Sequence, residues 1–339
     1  TPKPSSAASD VYKRQVAARA GVSIATVSRV LNGGPSIRPE TLARVQHAIR
    51  TLGFRPNRLG QELRSGQSHA VGVLVPSLAN PIFADSVDGI QDAAAEAGWS
   101  VVIACSRYDA ARESAAVEGL LARALGGLLL TVADADRSPT LDALDEAGQA
   151  YVLLYNQPDR PDRTCVTIDN VAAGRTATQA LVAAGHRRLA MVAGRFAASD
   201  RSRCRHAGFL AALAEAGLPE GRLLEVGFEA DDLVETLRPV FAAPEHPTGL
   251  FCSNDLLALR LIGALRRLSL EVPAQVSVVG LDGIGVGRLV EPTLASIVQP
   301  AREMGRQAFL QLLARLGGAP PAAQILLAHR FQPGGSLGP

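Results

Sequence analysis

The chain has 339 residues, 47% of them hydrophobic, and a formal net charge of +2. This length exceeds one ordinary domain, so two or three folded units are expected. No apolar run approaches the about 20 residues that a membrane-spanning helix requires. The N-terminal segment also lacks the basic, apolar and small-residue order of a secretory signal. A cytoplasmic protein is therefore predicted.

The cysteines and histidines give no sign of a metal centre, a cofactor or a catalytic set. None of the four cysteines forms a CxxC pair, which argues against structural zinc and against a disulfide framework. The six histidines are dispersed, and no Ser/His/Asp or Cys/His arrangement stands out. The cysteines are Cys105, Cys165, Cys204 and Cys252.

The charge is distributed unevenly along the chain. Residues 1–66 hold 11 Lys and Arg against 3 Asp and Glu, whereas the remainder holds 23 against 29. A basic head on an acidic body is typical of a phosphate-binding module joined to a second domain. The alternative is a basic head that is merely solvated.

The segment 20–32 predicts two helices joined by a tight turn. Gly21 permits the positive φ of the turn, and Ser23 is a favourable N-cap for the second helix. Apolar residues recur at i, i+3 and i+4 and predict one buried stripe, formed by Val27, Val30 and Leu31. The opposite face holds Ile24, Ala25, Ser28 and Arg29. Such a face fits a DNA major groove, although a plain helical hairpin is the alternative.

Flanking segments complete a small helical bundle, and the sequence pattern then changes from helical to alternating strands and helices. A first helix is predicted from about Val16 to Ala20, after a Pro/Ser/Ala-rich leader, and a third helix opens at Pro39. Beyond residue 68, apolar strands alternate with helix-like segments, which predicts parallel α/β sheets in two lobes with a crevice at the carboxyl ends of the strands. The predicted strands are 71–75, 101–104, 127–131, 152–155, 189–193, 250–252 and 276–281.

An ordered series of motifs follows the helix-turn-helix: Arg55-Pro56-Asn57, Leu63-Arg64-Ser65-Gly66, Gly72-Val73-Leu74-Val75-Pro76, Asn80-Pro81-Ile82-Phe83, Ala184-Gly185-His186-Arg187-Arg188, Asn254-Asp255, Val276 to Asp282 and Gln299-Pro300. This series resembles the lactose-repressor (LacI/GalR) family of bacterial transcription regulators. The resemblance spans about residues 16–336. It implies an all-α helix-turn-helix head and a C-terminal α/β domain of two lobes, similar to periplasmic sugar-binding proteins.

The resemblance also implies a domain organisation and a partner. The expected order is a leader at 1–15, disordered or non-native, a helix-turn-helix domain at 16–54, a hinge helix and linker at 55–68, and an effector-binding and dimerisation domain at 69–336. The resemblance further implies a homodimer that binds a pseudo-palindromic DNA operator. It also implies that a small effector, a sugar, controls the affinity for the operator. Repression is the expected outcome of operator binding.

Particular residues correspond to the DNA contacts of the family. Ile24 and Ala25 match the principal base-contacting positions, with Arg29 beside them suited to guanine O6 and N7. Leu63 matches the hinge leucine that wedges between base steps, or else is a linker residue packed on the body. Hydroxyl and amide side chains suited to phosphates are Ser23, Thr26, Ser28 and Asn32, although local capping is an equal alternative for Ser28 and Asn32.

Two stretches depart from the family pattern. Gly60-Gln61-Glu62 stands where Ala-Arg-Ser is common in the hinge, so hinge folding is expected to depend more strongly on DNA. Tyr12 and Gln15 stand where a Thr-x-x-Asp cap usually opens the first helix, and neither is a good N-cap.

The effector residues implied by the resemblance are Phe83, Arg205, Asn254 and Asp282, with Phe251 and Gln299 as weaker candidates. An aromatic wall, a guanidinium, an amide and a carboxylate suit a polyol such as a sugar or nucleoside. Ser199 replaces an arginine typical of the purine-responsive branch, which favours a sugar. Asp255 is expected to cap a helix or close the lobes. Phe228 and Trp99 are expected to be core aromatics.

Two other protein classes compete with this interpretation. A stand-alone sugar- or nucleoside-binding protein leaves the basic head unexplained. A nucleotide-cofactor enzyme fits the alternation of strands and helices, but its only glycine-rich candidate is 283–287. That stretch lacks GxGxxG spacing because Arg288 stands where the third glycine belongs.

Overall fold

A computed structural model describes residues 4–31, 37–52, 68–228, 233–320 and 324–339. The chain divides into two compact units, residues 1–68 and 69–339. In the described ranges, no helix is both long and apolar enough to cross a membrane.

The first unit contains three helices: α1 (Pro4–Ala20), α2 (Ile24–Leu31) and α3 (Pro39–Thr51). Its core is small, since Val16, Val27 and Val45 are fully buried against one another and their alanine neighbours. Proline opens α3 at N1, as predicted, where its missing N–H costs no helical hydrogen bond.

The predicted start of the first helix is wrong, because α1 begins at Pro4 and not near Val16. The segment contains no glycine, its alanines favour helix, and its last proline stands at the first helical position. Tyr12 and Gln15 consequently lie inside α1, where no N-cap is required.

The first lobe of the second unit is a six-stranded parallel sheet with helices on both faces. Its elements are β1 (Ala70–Val75), α4 (Pro81–Glu96), β2 (Ser100–Cys105), α5 (Ala110–Leu121), β3 (Gly127–Leu130), α6 (Pro139–Glu146), β4 (Tyr151–Leu154), β5 (Cys165–Ile168), α11 (Ala301–Leu316) and β11 (Ile325–Leu327). The strand order is β11-β5-β4-β3-β1-β2.

The second lobe repeats this architecture with one antiparallel edge strand, β12, paired with β10. Its elements are α7 (Asn170–Ala183), β6 (Leu189–Gly194), α8 (Asp200–Glu215), β7 (Arg222–Val226), α9 (Leu233–Phe241), β8 (Gly249–Cys252), α10 (Asp255–Arg267), β9 (Ser277–Asp282), β10 (Ala295–Val298) and β12 (Arg330–Gln332). The strand order is β12-β10-β9-β8-β6-β7. The predicted helical head and two-lobed parallel α/β domain are confirmed.

The chain passes between the two lobes three times: after β5, after β10 and between β11 and β12. The carboxyl ends of β1 and β9 face the cleft between the lobes, because Asn80 and Asp282, just beyond and at those ends, approach each other to 3.5 Å. This topology puts the predicted effector residues at one crevice.

Helices α4 and α11 of the first lobe pack at very close range through paired glycines. A Cβ placed on Gly89 would lie 1.9 Å from the carbonyl oxygen of Arg302, and one on Gly305 would lie 2.0 Å from that of Ser86. No side chain fits at either position without separating the helices.

Gly89→Ala is expected to lower the free energy of unfolding by about 1–3 kcal/mol, because the added methyl group meets rigid backbone. Gly119 in α5 is the matched control, since a Cβ there meets nothing within 4 Å. Gly119→Ala should instead stabilise by about 0.4–1 kcal/mol. Urea unfolding of both variants measures these changes in the free energy of unfolding. Equal changes in the two variants would contradict the close contact between α4 and α11.

Candidate functional site

The second helix of the head presents the predicted face to solvent. Ile24 is 43% exposed, Ala25 and Arg29 are exposed, and Ser28 is half-buried, whereas Val27 is completely buried. The backbone N–H of Thr26 donates to Ser23 Oγ at 3.2 Å, which establishes Ser23 as a cap of this helix. The two hydroxyl groups of Ser23 and Thr26 lie 2.9 Å apart.

Two predicted DNA contacts lie outside the described residues: Asn32 and Leu63, the latter with the rest of the predicted hinge. Their assignments stay predictions.

Arg44 on α3 is a residue of the head that sequence reasoning missed. Its Nη2 donates to the carbonyl oxygens of Ala20 and of Gly21, the latter at 3.0 Å. Gly21 has φ +61°, as predicted, and a Cβ there would lie 2.7 Å from Arg44 Nη2. Arg44 therefore fixes the turn that orients α2.

A small cavity lies in the cleft between the two lobes, with free space of about 20 Å³. This is about the room that one water molecule needs, so the side chains of the two lobes nearly fill the cleft. Its lining combines aromatic rings with buried polar side chains from both lobes: Asn80, Ile82, Phe83, Tyr108, Tyr155, Ser199, Arg201, Ser202, Arg205, Phe228, Asn254, Asp282 and Gln299.

Five of the six candidate effector residues line this cavity. They are Phe83, Arg205, Asn254, Asp282 and the weaker candidate Gln299. Phe251 does not, because it is completely buried in the hydrophobic core on β8. Both faces of that parallel strand are covered, so an aromatic residue within it packs against the core and does not reach the cleft. The assignment of Phe251 to the effector site is thus corrected.

Arg205 is held rigidly by neutral oxygen atoms. Its Nε donates to Asn170 Oδ1 at 2.9 Å and its Nη1 donates to the carbonyl oxygen of Ser253 at 2.5 Å. Asn254 is the N-cap of α10, and its Oδ1 accepts from the N–H of Leu257 at 2.8 Å. The side-chain positions are therefore fixed by secondary structure of the second lobe.

Asp282 ends β9 with φ +140°, a conformation that L-residues rarely adopt. Its Oδ1 accepts from Gln299 Nε2 at 2.7 Å, and burial raises the pKa of its carboxyl to about 7. Asp255 binds the two residues that follow Asp282. The N–H groups of Gly283 and Ile284 donate to Asp255 Oδ2 at 2.7 and 2.9 Å. Asp255 therefore positions the loop that follows Asp282.

An aromatic pair closes one side of the cavity. The rings of Tyr108 and Phe228 are stacked, with centroids 3.9 Å apart and planes 9° apart. Tyr108 belongs to the first lobe and Phe228 to the second. The prediction that Phe228 is a core aromatic is wrong, because it follows β7 at the cleft edge. Trp99 does pack against core Phe309, with centroids 6.1 Å apart.

The first residue of α8 in the second lobe forms hydrogen bonds with loops of the first lobe. Asp200 Oδ2 accepts from the N–H of Ala135 at 3.0 Å and from Asn156 Nδ2 at 2.7 Å. The N–H of Asp200 donates to the carbonyl oxygen of Ala133 at 2.8 Å. These three hydrogen bonds hold the lobes together beside the cavity.

Comparison with known proteins identifies both units. The family described as "Bacterial regulatory proteins, lacI family" matches residues 14–57, and "Periplasmic binding proteins and sugar binding domain of LacI family" matches residues 68–329. The chain belongs to the LacI family. The resemblance drawn from the ordered motifs is confirmed.

Individual LacI-family proteins match over nearly their whole length. The HTH-type transcriptional regulator GntR of Escherichia coli (strain K12) is 32% identical over 96% of this chain and 98% of its own. The structure of the lac repressor dimer bound to operator and the anti-inducer ONPF is 28% identical, with a TM-score of 0.84, over 96% and 98%. The complex of transcriptional regulator CelR with cellobiose is 30% identical, with a TM-score of 0.72, over 96% and 99%.

Membership of the LacI family settles the class of function. The protein is a DNA-binding transcriptional regulator with a ligand-binding domain, and neither an enzyme nor a stand-alone receptor. Sequence reasoning missed Tyr108 and Arg201 as cavity residues. Tyr108 carries no motif that distinguishes it from other loop residues. Arg201 could have been found, since it precedes Arg205 by one helical turn and so shares its face of α8.

Because the carboxyl of Asp282 is buried in the cleft, we expect the free energy of unfolding to depend on pH. The pKa of Asp282 is about 7 in the folded protein, against about 3.9 in an unfolded chain. The folded state therefore binds more protons between these values, and its stability is greatest below the lower one and falls as pH rises through about 7.

Urea unfolding of the parent and of Asp282→Asn at mildly acidic and mildly alkaline pH measures this effect. The variant cannot ionise at this position, and asparagine tolerates positive φ better than most residues. The fall in unfolding free energy towards high pH should be much smaller in the variant. An identical pH dependence in both proteins would contradict the assignment.

Proposed function

We propose that this regulator binds a pseudo-palindromic operator as a homodimer, in the cytoplasm, and that a small polyhydroxy effector in the interlobe cleft controls its operator affinity. The observation that carries the proposal is the cavity lined from both lobes by Phe83, Arg205, Asn254 and Asp282. A ligand that contacts both lobes stabilises their closed arrangement through its differential affinity for the two arrangements.

The head supplies the DNA contacts in this proposal. Ile24 and Ala25 are placed to make apolar contacts with base edges, and Arg29 to donate two hydrogen bonds to a guanine. Ser23, Thr26, Ser28 and Asn32 are assigned to phosphate oxygens, and local capping is the alternative for Ser28 and Asn32. Ser23 also caps α2 through the N–H of Thr26. Leu63 is assigned to the minor groove.

Support for a sugar-like effector comes from the donor set and from a relative. Aromatic walls combined with an amide, a guanidinium and a carboxylate suit the faces and hydroxyl groups of a polyol. CelR, with the same fold, binds cellobiose. Support for a homodimer comes from the operator-bound lac repressor, which is a dimer.

The test combines operator selection with an effector screen. The full chain is incubated with a random duplex library, the selected site is sequenced, and fluorescence anisotropy then measures operator binding against a panel of sugars, sugar derivatives and nucleosides. We expect a site with two-fold symmetry and at least one compound that changes its affinity. Selection of no sequence, or binding of one chain per site, would overturn the proposal.

A further inference from the structure

The turn between α1 and α2 of the head is closed by hydrogen bonds of its own backbone. The N–H of Gly21 donates to the carbonyl oxygen of Ala18 at 3.3 Å, and the N–H of Val22 donates to that of Ala17 at 3.0 Å. With Gly21 at φ +61°, these two hydrogen bonds form the Schellman motif that ends many helices. The motif uses the carbonyl groups of Ala17 and Ala18, whereas those of Ala20 and Gly21 are left for donors from elsewhere.

Arg44 of α3 supplies the donor for both of these carbonyl groups. Its Nη2 donates to the carbonyl oxygen of Ala20, and to that of Gly21 at 3.0 Å. The guanidinium is positively charged and lies at the carboxyl end of α1, where helix carbonyl groups carry partial negative charge. A Cβ on Gly21 would lie 2.7 Å from Nη2, so the guanidinium also fills the space beside this glycine. The third helix is therefore bonded directly to the turn that precedes α2.

Helix α2 depends on this turn for its direction. It has 8 residues, about two turns, and a helix of that length is not stable by itself in water. Within it Val27 is fully buried, whereas Val30 and Leu31 are half-buried. One fully buried side chain near the middle of a short helix sets the depth at which the helix packs but leaves its tilt free. The tilt of α2 is therefore set at its N-terminal end, by the turn.

We propose that Arg44 is a positioning residue for base recognition, which holds α2 at the angle at which Ile24 and Arg29 meet base edges. The inference rests on the proposed function, because that function assigns the base contacts to α2. Side chains that recognise a ligand together must be held to within about 0.5 Å, whereas attraction to phosphates depends mainly on charge. Loss of the Arg44 side chain therefore lowers discrimination between DNA sequences more than it lowers the affinity for DNA in general.

The rival role for Arg44, which is an exposed arginine of the head, is a direct phosphate contact. A phosphate contact strengthens the binding of all DNA sequences alike, and its loss makes the affinity less dependent on salt. A positioning contact acts through the base contacts of α2, so its loss changes the discrimination between sequences. The two roles therefore differ in a quantity that binding measurements determine.

Fluorescence anisotropy of the full chain carrying Arg44→Gln tests the proposal, with the selected operator and with an operator altered at one base pair of each half-site. The ratio of the two dissociation constants should fall by roughly 5-fold or more, the least that losing one bidentate base contact costs. Arg50→Gln is the matched control, since Arg50 is exposed on the same helix and the change removes the same charge. That variant should keep the ratio of the parent. An unchanged ratio in Arg44→Gln, with or without a smaller salt dependence, overturns the proposal.

The variant Gly21→Ala disturbs the same contact from the side of the turn. Its methyl group meets Arg44 Nη2, and alanine adopts φ +61° less readily than glycine, so this variant should also lose discrimination. Changes that act through one contact are not additive. The double variant Gly21→Ala with Arg44→Gln should therefore lose little more discrimination than either single variant. Fully additive losses would show that the two residues act independently and would overturn the proposal.

Hydrogen exchange measured by mass spectrometry separates positioning from folding of the head. Helices α1 and α3 should be as protected in Arg44→Gln as in the parent protein. Loss of their protection would assign Arg44 to the stability of the head and overturn the proposal. A parent protein that binds operator and altered operator equally overturns the proposed function and this inference with it. Full discrimination by Arg44→Gln overturns the inference alone.

Discussion

Arg205→Ala and Asp282→Asn are expected to remove the response of operator binding to the effector while leaving operator binding itself intact. Both side chains are buried in the interlobe cavity, with 6% and 3% exposure. Losing a hydrogen bond between the ligand and a charged group costs about 1.5–3 kcal/mol, which is about 10-fold or more in affinity. Arg205→Ala also leaves Asn170 Oδ1 and the Ser253 carbonyl oxygen without their donor.

The measurement is calorimetric titration of the effector found by screening, together with operator anisotropy with and without it. Arg175→Ala is the control, because Arg175 pairs with Glu215 on the surface of the same lobe and is 50% exposed. That change should shift effector affinity very little. Unchanged effector affinity in both cleft variants would place the site elsewhere in the protein.

Operator affinity is expected to fall steeply with salt and to depend on Arg29. A dimer that contacts about 6–10 phosphates loses about 10³–10⁵ in affinity between about 50 and 200 mM salt, because condensed counterions are released on binding. Arg29→Ala should cost a further about 1–3 kcal/mol and relax the preference at one base pair of each half-site. Arg29 is exposed on the outer face of α2, where it is free to reach a base.

Arg29→Lys separates base recognition from charge. Lysine keeps the positive charge but lacks the planar fork that donates two parallel hydrogen bonds to guanine. The salt dependence should therefore be retained while discrimination between operator and mutated operator decreases. Anisotropy titrations at several salt concentrations measure both quantities. A salt-independent affinity, or full discrimination in Arg29→Ala, would contradict the assignment of α2 to base contacts.

The contents of the head were largely determined by local sequence. Val27 belongs to a set of apolar residues at helical spacing, Gly21 supplies the positive φ of the turn, and Pro39 suits the first turn of a helix. The local conformational preference of each residue therefore agrees with the structure that it adopts. The start of α1 was missed because the Pro, Ser and Ala content of the leader suggested a disordered or non-native segment. The helix instead extends through this segment to Pro4, since its alanines favour helix.

Strand prediction succeeded where burial on both faces leaves a continuous apolar run. The strands from Val71, Leu189 and Val276 were found for this reason. Short or half-exposed strands were missed: β5, β7, β10, β11 and β12 have three to five residues each. β11 pairs with β5 and β12 pairs with β10, far along the chain, so no local pattern identifies these two strands.

Some residues of the cleft could likewise be predicted from the sequence, whereas others were revealed only by the structure. The resemblance to the LacI family identified Phe83, Arg205, Asn254 and Asp282, because these positions match ligand contacts of the family, and all four line the cavity. Tertiary structure alone showed that Phe228 stacks on Tyr108 and that Phe251 is core. Which face of a strand meets the cleft, and which loops meet across it, depend on how two separately folded sheets pack, and no sequence window contains both partners.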